Sequence, residues 1–242
     1  MASSSTTRVV GLREVLLLLA VVVFVSSVDA VTINVVNRCT YTVWPGALPG
    51  GGVRLDPGKS WTLNVPAGTK AARIWPRTGC SFDGSGRGRC VTGDCRNALS
   101  CSVSGTPPTT LAEYTLGTPG VGDSTDYFDL SVIDGFNVPM SFQPTSNAAR
   151  CGSRRRGPSC AVDITAQCLP ELKVPGGCDS ACGRFGGDTY CCRGQYEHNC
   201  PPTKYSKFFK DKCPDAYSYA KDDKSSTFTC PAGTNYQIVL CP

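Results

Sequence analysis

Sixteen cysteines, none of them before Cys39, constrain this 242-residue chain more than any other feature. An even number at that density belongs to a chain that folds where thiols oxidise in pairs, outside the cytosol. Ahead of Cys39 lies a segment with the makeup of an export signal. Arg8 and Arg13 precede an apolar run over 15–25, and the small residues of Val28-Asp29-Ala30 offer a cleavage point. The run is shorter than the ~20 apolar residues that span a bilayer, and no second one follows. The expectation is a signal peptide over 1–30 and a soluble, secreted chain over 31–242.

Size makes the cysteines more telling. A chain of ~150 residues or more already buries enough surface to hold a core without staples. Bridges each worth ~2–4 kcal/mol, mainly through the unfolded chain, therefore point to resistance against heat, acid and proteases rather than to catalysis. The formal charge of +5 is mild. It lacks the dense basic stripe of a nucleic-acid binder, so no nucleic-acid partner is expected.

Cysteine positions divide the chain. Cys39 and Cys241 stand near opposite ends, Cys80, Cys90, Cys95 and Cys101 cluster locally, and nine more fall between Cys151 and Cys213. That last block is rich in glycine and poor in apolar periodicity, and reads as a loop-rich lobe held by its bridges. Elsewhere the pattern is β. Segments 31–37, 40–44, 61–65, 111–116, 127–133 and 236–240 are short, β-branched or aromatic, and separated by Gly, Pro, Asn and Asp. Many short strands without long helices predict a mainly β fold, a sandwich or flattened barrel. One helix is predicted within 203–212, where Tyr205, Phe208 and Phe209 share a face beside Lys204, Lys207 and Lys210. Such a face packs inward against a lobe or, alternatively, lies on a membrane.

Alternation assigns faces to the strands. Phe128, Leu130 and Val132 point one way, while Tyr127, Asp129 and Ser131 point the other, and Asp134-Gly135 makes a turn. Glu113 opposes Tyr114, and Arg73, Trp75 and Arg77 share one face of another strand candidate. Carboxylates accept hydroxyl hydrogen bonds and flat rings stack on pyranose faces, so this set suits a sugar. The plain alternative is scattered, solvated charge. Other constellations are weaker. His198 is the one histidine and no Gly-x-Ser-x-Gly elbow accompanies it. Cys191, Cys192, His198 and Cys200 form a conceivable zinc set, but in a secreted chain with paired cysteines no metal or other cofactor is expected. Arg154-Arg155-Arg156 is either a solvated run or a docking patch for phosphates or acidic glycans. No Asn-x-Ser/Thr acceptor occurs, so N-glycosylation is not expected.

Longer words carry more. Gly86-Arg87-Gly88-Arg89-Cys90-Val91-Thr92-Gly93-Asp94-Cys95, followed by Cys101, resembles the signature of the thaumatin-like proteins, the plant pathogenesis-related group. Val35-Val36-Asn37-Arg38-Cys39, Arg73-Ile74-Trp75, Pro107-Pro108-Thr109-Thr110-Leu111-Ala112-Glu113-Tyr114, Asp134-Gly135-Phe136-Asn137-Val138-Pro139 and Cys213-Pro214-Asp215-Ala216-Tyr217-Ser218-Tyr219 agree with it. There is one departure. The family usually has glycine within two residues after the cysteine equivalent to Cys95, whereas Arg96 and Asn97 stand here.

The resemblance implies a flattened β-sandwich core with a disulfide-rich lobe of loops and short helices and a smaller hairpin lobe. By cysteine order it implies Cys39–Cys241, Cys80–Cys90, Cys95–Cys101, Cys151–Cys230, Cys160–Cys213, Cys168–Cys178, Cys182–Cys191 and Cys192–Cys200. It also implies an acidic cleft that binds β-1,3-glucan, carried onto Arg73, Glu113, Asp129, Asp134 and Asp222, with Asp222-Asp223 offering two candidates for the last. Tyr217 or Tyr219 would add stacking surface. The implied role is antifungal defence by a monomer in the cell-wall space, its partners fungal β-1,3-glucan and either the fungal membrane, which it would permeabilise, or a membrane protein. The chain stops at Cys241-Pro242 without the apolar tail that diverts some relatives to the vacuole. Two alternatives are a weak endo-β-1,3-glucanase, with Glu113 as acid and Asp134 or Asp129 as its partner, and an inhibitor of a pathogen hydrolase.

Overall fold

The computed structural model describes residues 30–122, 124–152 and 156–242. Residues 1–29 of the signal-peptide segment and Arg154 and Arg155 of the basic run lie outside them, while Arg156 pairs with Asp215 at 3.2 Å. Two sheets dominate. The first contains β1 (Ala30–Asn37), β4 (Ser60–Pro66), β10 (Met140–Pro144), β11 (Ser159–Cys160) and β15 (Tyr236–Leu240), in the order β11-β10-β15-β1-β4. The second contains β2 (Gly46–Leu48), β3 (Gly51–Gly52), β5 (Ala72–Trp75), β8 (Leu111–Thr115), β9 (Thr125–Ser131) and β14 (Phe228–Pro231), in the order β14-β9-β8-β5-β2-β3. Two small hairpins, β6 (Ser81–Phe82) with β7 (Gly88–Arg89) and β12 (Lys173–Val174) with β13 (Gly177–Cys178), lie outside both sheets.

Period-two alternation turns the apolar residues of both sheets inward. Val31, Ile33 and Val35 of β1 are fully buried, as are Ile74 of β5 and Leu130 of β9. Phe128 of one sheet meets Phe142 and Tyr236 of the other, each with ring centroids 5.0 Å apart. The buried Tyr236 hydroxyl donates to Asp126 at 2.8 Å, and Asp126 also accepts from the Gly117 amide, so this buried acid is satisfied. The fold is therefore mainly β, two sheets face to face.

The remaining chain forms short helices and loops: α1 (Ala181–Phe185), α2 (Asp188–Cys191), α3 (Lys204–Lys212) and α4 (Asp223–Ser226). Eight disulfides brace the molecule: Cys39–Cys241, Cys80–Cys90, Cys95–Cys101, Cys151–Cys230, Cys160–Cys213, Cys168–Cys178, Cys182–Cys191 and Cys192–Cys200. No cysteine is free, which removes the conceivable zinc set, and His198 is exposed.

Several local expectations are corrected. Segment 40–44 is not a strand. Val43 makes an isolated bridge to Leu55, and the Tyr41 carbonyl accepts the Asn37 side-chain amide instead of a ladder partner. Pairing begins only after Pro45, at Gly46. Arg77 does not share an outer face with Arg73. It lies beyond β5, fully buried, and donates to the carbonyls of Trp44, Ala98 and Leu99 at 2.7 Å each. Burial lowers its pKa to about 10. The helix α3 falls within its predicted span and begins just after Thr203, which caps it, the Thr203 hydroxyl accepting from the Ser206 amide. Its Tyr205 and Phe209 are buried and Phe208 packs against the core, so the apolar face is not offered to a membrane. Among the described residues no helix is long and apolar enough to cross one.

The departure after Cys95 leaves a mark on the backbone. Arg96 and Asn97 take φ of 57° and 61°, the left-handed region, while Asp94 holds the turn by accepting from the Asn97 amide at 2.8 Å. An exposed arginine there costs about 1–2 kcal/mol. Arg96→Gly is therefore expected to stabilise the fold by about 1 kcal/mol net of unfolded-chain entropy, about 2–4 °C in Tm. An unchanged or lower Tm in a thermal melt would contradict this account.

Candidate functional site

The outer face of the second sheet carries the charged residues. Antiparallel pairing sets Arg73 of β5 opposite Glu113 of β8, and Glu113 opposite Asp129 of β9. Residues directly opposite in this way have Cβ atoms ~4.5–5.5 Å apart, so one cation and two acids form a row across three strands. The Arg73 Nη2 lies 3.2 Å from Glu113 Oε1, and both side chains are 30% exposed. Asp134 sits in the turn after β9, which is closed by the Gly135 amide donating to the Val132 carbonyl. Gly135 has φ of 83°, and a Cβ there would sit 2.6 Å from the Cys178 carbonyl oxygen, so the turn requires glycine. It is tied to the disulfide-rich part by the Phe136–Cys178 bridge.

These carboxyls repel one another. Burial raises Glu113 first, with Arg73 opposing and Asp134 adding to the rise. Burial likewise raises Asp134, opposed by Arg73. Asp129 is pushed furthest, to about 8, by burial, then by Glu113, with Arg73 opposing and Asp223 adding. Its Oδ1 is buried without a hydrogen-bond partner. The structure thus gathers Arg73, Glu113, Asp129 and Asp134 into one electrostatic group.

Asp222 is placed differently. It is 8% exposed, its Oδ2 sits 2.9 Å from Lys210 Nζ, and it accepts from the Ser218 amide and the hydroxyls of Ser218 and Ser225. Burial would raise its pKa, but the bonds from Lys210, Ser225 and Ser218 outweigh it and the net shift is downward. The neighbouring Asp223 is the one that acts on Asp129. It accepts from the Tyr217 hydroxyl at 2.8 Å, and that hydroxyl also lies 2.6 Å from Thr227 Oγ1. Tyr217 is anchored beside β9, its amide donating to Leu130 and its carbonyl accepting from Val132, and this cover buries Ser131 on the outer face. Burial raises the Tyr217 phenol to about 12, assisted by Asp223 and Asp129.

One acid was not singled out in the sequence. Asp179, after β13, is raised by burial and by Asp134, against the Ser180 amide and Arg184. Nothing in its surroundings in the chain flags it, because strand pairing and not periodicity carries it to Asp134. A cavity of about 290 Å³ opens beside Asp134, walled by residues of α1, α2 and α3 and by Ser218, Tyr219 and Ala220. Among the described residues no cluster of His, Cys, Asp and Glu could hold a metal ion.

Residues 37–242 match the Thaumatin family, and the chain belongs to it. Its relatives are pathogenesis-related proteins of plants. The chain is 56% identical to a thaumatin-like protein of Actinidia deliciosa over 87% of this chain and 89% of that one. It is 55% identical to zeamatin of Zea mays over 88% of this chain and 92% of that one. Among solved structures, the thaumatin-like xylanase inhibitor TLXI superposes with a TM-score of 0.47 at 27% identity, covering 87% of this chain and 99% of the other.

Proposed function

We propose that this chain is a secreted antifungal defence protein that binds the β-1,3-glucan of fungal walls through the acidic row and its adjoining cavity. The observation that carries this is the alignment of Arg73, Glu113 and Asp129 across three paired strands, with Asp134 electrostatically joined to them. Arg73 lowers the cost of holding the acids together, and the acids accept sugar hydroxyls. Export fits the sixteen paired cysteines. The overall charge of +5 against an acidic cleft leaves a basic outer surface for contact with an anionic membrane.

Hydrolysis is the second reading, since a glycosidase keeps one carboxyl as an acid and a partner ionised. Asp129, pushed to about 8, beside Glu113 paired with Arg73 is the pair that would divide those roles. Glu113→Gln with Asp129→Asn is expected to cut retention on insoluble β-1,3-glucan about tenfold, chiefly through Glu113, since one charge-assisted hydrogen bond is worth ~1.5–3 kcal/mol and Asp129 holds its proton below about pH 8. Full retention by the double variant in a pull-down would move the site elsewhere. Reducing-end release from a linear β-1,3-glucan, absent in the protein and its Glu113→Gln form alike, is the companion result. Release by the protein that disappears with Glu113→Gln would make it a glucanase.

A further inference from the structure

The cavity beside Asp134 has a second wall that the acidic row does not use. Tyr190 of α2 and Tyr205 of α3 both line it, together with Arg193 and Tyr219. Phe185, at the end of α1, stands against both tyrosines, its ring centroid 5.8 Å from Tyr190 and 5.3 Å from Tyr205, while Tyr190 and Tyr205 lie 5.7 Å apart. The three rings form one cluster with a graded exposure. Tyr205 is the buried base at 7%, with Lys204 Nζ 4.7 Å above its ring, whereas Tyr190 is 36% and Phe185 45% exposed.

Exposed aromatics scattered singly need no explanation, but adjoining ones at the mouth of a cavity mark a contact surface. These two are also held in place. Gly186 and Gly187, with φ of 65° and 80°, turn the chain between α1 and α2, and Cys182–Cys191 closes the hairpin from below. Rings fixed this way lose little conformational freedom on binding. The facing wall fixes the occupant's charge. Asp134, coupled electrostatically to Glu113 and Asp179, disfavours uronic acids and phosphates and suits a neutral polyhydroxylated ring.

We propose that Phe185 and Tyr190 form an aromatic subsite for a further sugar unit of a neutral glycan strand whose other units lie on the acidic row. This rests on the cleft reading above and goes beyond it, making the site one for consecutive residues of a chain rather than for an isolated sugar. Affinity then grows with oligosaccharide length until the strand reaches the rings.

Titration of defined β-1,3-linked gluco-oligosaccharides of two to six units by calorimetry tests it. The unaltered protein is expected to bind the longest oligomer well above the shortest. Phe185→Ala with Tyr190→Ala is expected to lose roughly tenfold for the longest oligomer and little for the shortest, from two aromatic contacts. Tyr190→Trp with Phe185 intact, which preserves a flat face, keeps the length dependence. It also serves as the fold control, along with an unshifted thermal midpoint. Equal binding of the longest oligomer by the alanine variant, or a loss independent of length, overturns the aromatic subsite while the acidic row stands if Glu113→Gln still weakens binding. Absence of any oligosaccharide binding by the unaltered protein overturns both.

Discussion

Asp129→Asn is expected to raise the thermal midpoint at pH 8 by about 5 °C or more while changing it little at pH 4. The cause is the cost of keeping this carboxyl where it is. Folding pushes it to about 8, through burial first and then Glu113 and Asp223, against relief from Arg73. An unfolded aspartate ionises near ~3.9. Between those values the folded chain holds a proton that the unfolded chain has released, so the contribution of Asp129 is most favourable below about pH 4 and is lost as pH rises through about 8. The full shift corresponds to a few kcal/mol, on the order of 2–4 °C each for a chain of this size. Asparagine keeps the shape and removes the charge, so the decline should flatten. The residual slope comes from Glu113 and Asp134, which are raised as well. Parallel stability–pH curves for the protein and the variant would show that Asp129 titrates as an ordinary surface acid. A row of buried, mutually repelling acids is what the proposed binding role expects and what a solvated face would not show.

Local periodicity made the inward face of β9 legible. Phe128, Leu130 and Val132 alternate with polar residues and are buried. It could not give the row itself, because the order β9-β8-β5 joins segments that are far apart in the chain, and only pairing sets Asp129, Glu113 and Arg73 side by side. Arg77 misled for the same reason. Alternation continues through it on paper, but β5 ends at Trp75, and carbonyls of the 95–101 loop draw the guanidinium inward. The strands β10 and β14 escaped notice, each being short and ending in proline. The missing glycine after Cys95 argued for a different loop backbone, yet Arg96 and Asn97 adopt the left-handed region that glycine favours. The choice between Asp222 and Asp223 lay beyond any pattern, since two adjacent aspartates differ only in what folds against them.

That choice carries the second large effect. Lys210→Met is expected to destabilise the protein by about 3–5 kcal/mol, the cost of leaving a buried acid without its cation. Lys210 Nζ is 2.9 Å from Asp222 Oδ2 and donates to the Ala216 carbonyl and the Ser226 hydroxyl at the same distance. It therefore pins α3 to the 216–226 segment that covers β9. Because the folded pKa of Asp222 is lowered, its contribution is present above the unfolded value of about 3.9 and disappears as pH falls through the folded one. Asp222→Asn should accordingly lose stability at pH 7 and lose less at pH 3. Asp223→Asn should do neither. It leaves Lys210 paired, keeps an amide oxygen able to accept from the Tyr217 hydroxyl, and lowers the Asp129 pKa by removing a nearby negative charge. Retention on insoluble β-1,3-glucan, measured well below each variant's melting range, separates the two acids. The expected result is a changed affinity for Asp223→Asn and an unchanged one for folded Asp222→Asn. The reverse would place Asp222 among the ligand-facing acids, and Lys210 would then hold a sugar-binding carboxylate in position rather than brace the scaffold alone.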